Sequence, residues 1–342
     1  MTTDDTRSDE TEPTALIFPG QGSQAPGMGK LLYENSEAAR RVFEEASEVV
    51  GVDLRAVCFD TAADDLADTA NTQPAVLTTS IAFLEAMREK LAEAGQAIHP
   101  RLFGGHSLGL FSAAVAANAL SFRDALKLIM ERARLMGSFN EQRPVGMAAI
   151  LGLEANVVRQ ICTDATTGAD SRVDVANLND DTQTVISGDV SALERAMEAA
   201  QALKGKAIRL KVRVSSHTPL SIPQAEEFTK ILQNIHFADP VRPIVSNITA
   251  DLLRTAADVR GEFEAQLRSP VLWADNVRRM TNEGVNTFIE VGPGHLLARM
   301  IKRIAGDDVE AVSLDDAREE PIPISILPLR QPTPLPAPPS AQ

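Results

Sequence analysis

Three apolar residues, Leu16-Ile17-Phe18, stop at Pro19-Gly20 and open a chain in which short apolar runs alternate with longer stretches whose apolar positions recur every three or four residues. Runs of the first kind suit strands buried on both faces; stretches of the second kind suit amphipathic helices. The spacing predicts helices over 36–49 and 77–95, a strand at Leu102-Phe103 and an Ala-rich helix from Phe111 through Ala119. Ser121-Phe122-Arg123-Asp124 resembles a capping box. It opens a helix with Ala125, Leu126, Ile129, Met130 and Ala133 on one face, and Arg132 and Arg134 ride on it. Strands that alternate with helices predict a parallel α/β sheet.

From Ala148 the order changes to strand 148–151, helix 154–165, strands Val173–Leu178 and Thr184–Ser187, helix 190–203 and strand Ala207–Val212. That βαββαβ order is ferredoxin-like. Afterwards come helices near 220–235, 258–268 and 272–283, a strand at Thr287–Val291, a Gly292-Pro293-Gly294 turn and a last helix from Leu296 to Ile304. The expected fold class is therefore α/β: an α/β-hydrolase-like large domain with a parallel sheet over 14–140 and 214–314, with a ferredoxin-like subdomain inserted at 141–213. A cleft between the two parts is the natural place for a substrate. Residues 1–13 and the Pro-rich tail over 315–342 read as disordered.

At 342 residues and 44% hydrophobic content the chain can bury a sizeable core. No apolar run is long enough to span a bilayer, and the polar, acidic start from Met1 to Glu12 is unlike a signal peptide, so a cytoplasmic location is expected. The net charge of -14 argues against nucleic acid as a partner. Cys58 and Cys162 lack metal-ligand spacing and the five histidines are scattered, so no metal site is expected, and both thiols read as core residues. One basic stretch stands out against this balance: Lys204, Lys206, Arg209, Lys211 and Arg213, with no acid among them. Residues 209, 211 and 213 alternate with Leu210 and Val212, which on a strand puts the three cations on one face. The stretch fits first a solvated edge strand protected from aggregation; the sharper reading is a dock for an acidic protein.

Gly105-His106-Ser107-Leu108-Gly109 lies between a predicted strand and a predicted helix, the setting of a nucleophile elbow. Glycines on both sides of Ser107 would let the chain turn sharply, and the following helix would aim N–H groups at a developing oxyanion. The other reading is an ordinary glycine-rich turn. A serine nucleophile needs a base, and His217, in the polar loop Val214-Ser215-Ser216-His217-Thr218-Pro219, is the best placed. His106 adjoins the serine and is expected in the pocket wall. His99 and His236 are expected at helix edges on the surface, and His295 against the back wall of the site. No acid stands out as a third member; a carbonyl on the far ring nitrogen would orient the imidazole equally well.

Phe18-Pro19-Gly20-Gln21-Gly22-Ser23-Gln24, the Gly105–Gly109 segment, Ala176-Asn177-Leu178-Asn179, Ser216-His217-Thr218-Pro219-Leu220, Ser269-Pro270-Val271 with Trp273, and Glu290-Val291-Gly292-Pro293-Gly294 together resemble the malonyl-CoA:acyl carrier protein transacylases, in order from about residue 15 to 305. The resemblance implies ping-pong transfer of a malonyl-type group from coenzyme A, through an acyl-serine at Ser107, to the phosphopantetheine thiol of an acyl carrier protein in fatty acid or polyketide synthesis. It implies His217 as acid and base, Gln21 and Leu108 N–H groups as oxyanion hole, the Gln266 carbonyl as orienting acceptor and Arg132 as the partner of the malonyl carboxylate. Ser216 and His106 would line the substrate pocket, and the basic stretch would receive the carrier. No bound cofactor, no membrane and a monomer acting in trans are expected, with coenzyme A and the carrier's phosphopantetheine as substrates.

Two positions matter beside this resemblance. Leu110 stands where the family usually has Glu, and Ser215-Ser216 precedes the histidine, a pair compatible with malonyl and with C2-branched malonyl groups. An acyl hydrolase, a carrier-to-carrier shuttle and a non-catalytic carrier-docking protein are the competing functions.

Overall fold

The computed structural model describes residues 12–212, 214–316 and 322. In chain order the elements are β1 (Glu12–Phe18), α1 (Lys30–Asn35), α2 (Glu37–Val50), α3 (Leu54–Asp60), α4 (Ala63–Leu66), α5 (Thr69–Glu93), β2 (Pro100–Gly105), α6 (Gly109–Ala116), α7 (Phe122–Gln142) and β3 (Val145–Leu151). They continue with α8 (Ala155–Ala165), β4 (Val173–Asp180), β5 (Gln183–Asp189), α9 (Val190–Ala202), β6 (Lys206–Arg209), α10 (Ile222–Leu232) and β7 (Ile244–Val245). The last are β8 (Leu252–Leu253), α11 (Ala256–Gln266), α12 (Trp273–Asn282), β9 (Thr287–Glu290), α13 (Leu296–Ala305) and β10 (Glu310–Ser313).

Six strands form one sheet in the order β10-β9-β1-β2-β7-β8, parallel except for β8. The apolar run of β1 sits at its centre, where both faces need burying. The two-residue period sends Leu16 and Phe18 into a core shared with α2, α5 and α6, and sends Ala15 and Ile17 into a second one under α12 and α13. The second sheet is antiparallel, β4-β5-β3-β6, with α8 and α9 packed on one face, which is the ferredoxin-like arrangement. Ala148, Ile150 and Ile186 pack beneath those helices, whereas Met147, Ala149 and Val185 face the cleft between the sheets. The α/β class expected from the sequence is the one observed. Paired backbone bonds fasten the small sheet to the large part, Leu178 N to Val271 O and Val271 N to Ala176 O, both 2.9 Å, and Arg303 reaches Asp180 at 2.9 Å.

Several expectations need correcting. The helix predicted from 77 starts at Thr69, capped by Asp68, whose carboxylate accepts from Ala70 N, and it carries Pro74 inside. It is buried on almost every side from Thr72 to Met87, so no 3.6-residue stripe marks its start. The Ser121 box is half formed: Asp124 N donates to Ser121 Oγ, but the Asp124 carboxylate accepts from the serine hydroxyl rather than from the backbone. β6 ends at Arg209; Leu210 still bonds Met147 O through its N–H at 2.9 Å, but Leu210, Lys211 and Val212 all line the cleft beyond the strand, so the cations at 209 and 211 do not share a strand face. Arg213 lies outside the described residues, as do 1–11 of the expected disordered start and most of the tail. Glu12 and Pro13 belong to β1, and Asp315 belongs to a 3-10 turn, where its carboxylate accepts from Gly294 N at 2.7 Å. Cys58 and Cys162 are buried, and burial pushes both thiols up to about 12, which leaves them unreactive core residues.

Candidate active site

The loops that follow β1, β2 and β7 meet at the carboxyl end of the large sheet, where open α/β sheets present their ligand sites. The turn after β2 is sharp because Ser107 itself takes the left-handed conformation, φ 52°. Its flanking glycines serve another purpose: neither has positive φ, and both are places where two backbones touch. A Cβ on Gly105 would lie 2.2 Å from the Gly109 carbonyl, and one on Gly109 would lie 2.0 Å from the Phe18 carbonyl. Gly109→Ala should therefore push β1 and α6 apart and cost about 2 kcal/mol or more, read as a lower midpoint in chemical denaturation. An unchanged midpoint would show that the crossing can relax.

Ser107 Oγ lies 2.7 Å from His217 Nε2, and His217 Nδ1 lies 2.9 Å from the Gln266 carbonyl. A carbonyl only accepts, so Nδ1 carries the proton and Nε2 is free to take one from the serine. His217 is buried and also left-handed, φ 64°, held by its own N–H on Leu267 O at 2.7 Å. Burial, then the Arg132 charge, push it down to about 3, so it is neutral near pH 7.

Arg132 is 2% exposed and no carboxylate among the described residues touches it. Nη1 donates to Gln73 Oε1 at 2.7 Å, Nη2 donates to Ser107 Oγ at 3.0 Å, and Nε has no partner. Burial lowers it to about 10, which leaves it charged near pH 7. A buried guanidinium that faces a hydroxyl and an amide oxygen has capacity left for an anion.

These groups open into a cleft of about 420 Å³ between the two sheets, lined on one side by Met147, Val185 and Leu210 and on the other by Leu297 and Met300. The backbone N–H groups of Gln21 and Leu108 make no bond to a protein acceptor among the described residues, and Gln21 lies in the cleft wall. The Gln21 side-chain Nε2 is likewise buried without a partner. Ser216 and His106 line the same cleft. His106 Nε2 meets Asn179 Oδ1 at 3.0 Å and the ring sits edge-on to Trp273, so it shapes the wall. His295, expected at the back wall, precedes α13 instead, and its neighbours Leu296 and Leu297 take that place. His99 and His236 are exposed, in loops rather than on helix edges. Of the basic stretch, Lys211 lines the cleft mouth and pairs with Asp64 at 2.8 Å, Arg209 reaches Glu194 at 3.3 Å, and Lys204 and Lys206 are exposed.

Two site residues escaped sequence reasoning. Asn247 Oδ1 accepts from Ser107 N at 2.8 Å while its Nδ2 donates to Gly105 O at 2.7 Å, so it grips the elbow from both sides. Its signal was its place just after Ile244-Val245, at the end of a short parallel strand. Gln73 stands four residues after Thr69, to which its Nε2 donates at 2.7 Å, and placing the helix start at Asp68 would have turned it toward Arg132. Among the described residues no group of three or more His, Cys, Asp or Glu could hold a metal, and no helix is long and apolar enough to cross a membrane.

The acyl transferase domain family matches residues 15–317. A malonyl CoA-acyl carrier protein transacylase of Bacillus subtilis strain 168 is 42% identical over 294 residues, 85% of this chain and 90% of the relative. A protein of the same name from Haemophilus influenzae is 36% identical and covers 88% of this chain and 95% of its own. Among solved structures, an acyl carrier protein S-malonyltransferase from Vibrio cholerae has a TM-score of 0.82 at 36% identity, covering 90% of this chain and 98% of the other. A malonyl-transacylase in complex with its type II PKS acyl-carrier protein has a TM-score of 0.83 at 34% identity, with 89% and 96% covered.

Proposed function

The chain belongs to the acyl transferase domain family, and from that premise we propose that it carries malonyl groups from coenzyme A to the phosphopantetheine thiol of an acyl carrier protein by way of an acyl-serine at Ser107. One observation carries the reading: a single hydroxyl is shared by a neutral, oriented histidine and a buried arginine without a carboxylate partner among the described residues, inside a cleft of about 420 Å³.

Ser107 Oγ attacks the thioester carbonyl carbon and its proton passes to His217 Nε2. The tetrahedral oxyanion takes the N–H groups of Leu108 and Gln21. As the C–S bond breaks, His217 returns the proton to the coenzyme A sulfur, and the acyl-serine remains. In the second half the carrier thiol gives its proton to His217, attacks the ester, and the proton ends on Ser107 Oγ. Arg132 holds the malonyl carboxylate throughout, and Ser216 and His106 bound the acyl chamber. Every proton and charge in this sequence is handled by side chains and backbone of the chain, so the reading needs no bound cofactor. It places the protein in the cytoplasm with its coenzyme A substrate.

Labelled malonyl-CoA should leave one malonyl group on Ser107, detected by peptide mass, and a phosphopantetheinylated carrier should remove it. Free malonate in place of malonyl-carrier would make the protein a hydrolase; labelling only from an acyl-carrier would make it a shuttle. The exposed cations beside the cleft mouth complete the reading as the carrier's dock. Lys211→Glu should raise the KM for the carrier about three- to tenfold and flatten its salt dependence, with self-acylation unaffected. Carrier kinetics that ignore this change would move the dock elsewhere.

A further inference from the structure

Beneath the elbow lies a buried acid that the reaction above does not use. Glu262 on α11 is 3% exposed. Its carboxylate accepts from Ser246 Oγ at 2.6 Å and from Asn247 N at 2.9 Å, and the Ile248 N–H also reaches it. Asn247 in turn holds Ser107 N and Gly105 O. One turn further along α11, Gln266 Nε2 donates to Ser107 O at 3.1 Å and to Asn247 Oδ1 at 3.3 Å, while its carbonyl orients His217. The Ser107 peptide, in a left-handed conformation that a residue with a side chain resists, is thus clamped at its N–H by Asn247 and at its C=O by Gln266.

Resting on the transacylase reading, we infer that Glu262 is a positioning residue whose carboxylate, through Ser246 and Asn247, holds the nucleophile elbow in its reactive geometry and makes turnover depend on its own charge. The donor set requires the charged form. Ser246 Oγ already accepts from Ile248 N at 3.2 Å and Thr249 N at 3.0 Å, so a protonated Glu262 would bring a further donor into a group made of donors.

Burial pushes the Glu262 carboxyl up to about 7, against the pull of the Ser246, Asn247 and Ile248 hydrogen bonds. The titratable groups on the elements around it include Asp258, Arg260 and Glu264 on α11 itself, His217 across from α11, Glu226, Glu227 and Lys230 on α10, and Asp251 and Arg279 beyond the 246–248 loop. Lys230 pairs with Glu227 and Arg279 with Asp251 and Glu283, and no charged side chain among the described residues bonds to Glu262. His217, at about 3, titrates well below this range. The clamp is therefore complete above about pH 7 and is lost as pH falls through that value. Stability moves the other way: a carboxyl raised in the folded state binds protons more tightly there than in the unfolded chain, so folding is favoured as pH falls from about 7 toward about 4.5.

The test is kcat for malonyl transfer between pH 5 and 8.5, with thermal unfolding measured at each pH, in the unaltered enzyme, Glu262→Gln and Ser246→Ala. As pH falls through about 7, kcat of the unaltered enzyme should drop to a plateau about three- to tenfold lower while the protein does not become less stable. Glu262→Gln should lose the limb and be about three- to tenfold slower at pH 8. Ser246→Ala removes a donor to the charged form, so its limb should move up by about half a unit or more. A limb that stays in place in Glu262→Gln overturns the relay, and should that variant not fold, an unmoved limb in Ser246→Ala does the same. No malonyl transfer by the unaltered enzyme at any pH would overturn the transacylase reading and the relay with it.

Discussion

Ser107→Ala is expected to form no acyl-enzyme with malonyl-CoA and to transfer malonyl at least about ten-thousandfold more slowly, while the protein keeps its fold. Alanine keeps the Cβ and the backbone bonds to Asn247 and Gln266 and deletes only the oxygen that His217 and Arg132 share. His217→Ala should lose nearly as much, because a serine without its base is a poor nucleophile at neutral pH. The double variant should be little worse than either single one: two groups that act on the same proton have non-additive effects. Stopped-flow acylation with mass analysis of the Ser107 peptide checks all three. Acylation of Ser107→Ala at the normal rate would mean that another group carries the acyl chain.

How much of this could be read before the structure follows from which physical signals are local. Leu16-Ile17-Phe18 is legible as a central strand because burial on both faces leaves an unbroken apolar run. The βαββαβ order was legible because each piece is long enough to show its period. β7 and β8 have two residues each, too few to show any period, although β7 is the strand that delivers Asn247 to the elbow. The α5 start was hidden by burial on all sides, and with it went Gln73. Ser107, His217 and Arg132 were found through turn chemistry and resemblance, but the reason for the elbow glycines was not. Spacing suggested conformational freedom, whereas the crossing of β1 and α6 demands the absence of a Cβ. Glu262 gave no signal, since an acid on a short helix ordinarily means a solvated face; only the packed structure shows it facing Ser246 and Asn247.

Arg132→Met should separate activity from stability. A buried guanidinium with no carboxylate beside it among the described residues destabilises the fold, and an unbranched apolar side chain of similar length removes that cost, so the variant should be more stable by about 1–3 kcal/mol. Malonyl transfer should fall about a hundred- to ten-thousandfold, and acetyl transfer should rise relative to it. Part of the loss belongs to kcat. The Arg132 charge is the second cause, after burial, of the depressed His217, and its Nη2 occupies the Ser107 hydroxyl. On the proposed reading, a malonyl carboxylate seated on Arg132 would cancel the first effect and compete for the second, so the acidic substrate would strengthen the base and free the nucleophile as it binds. A neutral acyl group does neither, and in the native enzyme it should show a low kcat as well as a high KM. Steady-state kinetics with malonyl- and acetyl-CoA, beside chemical denaturation of both proteins, decide it. Unchanged malonyl preference in Arg132→Met would remove the arginine from substrate choice, and lower stability would show that its bonds to Gln73 and Ser107 outweigh the cost of its burial.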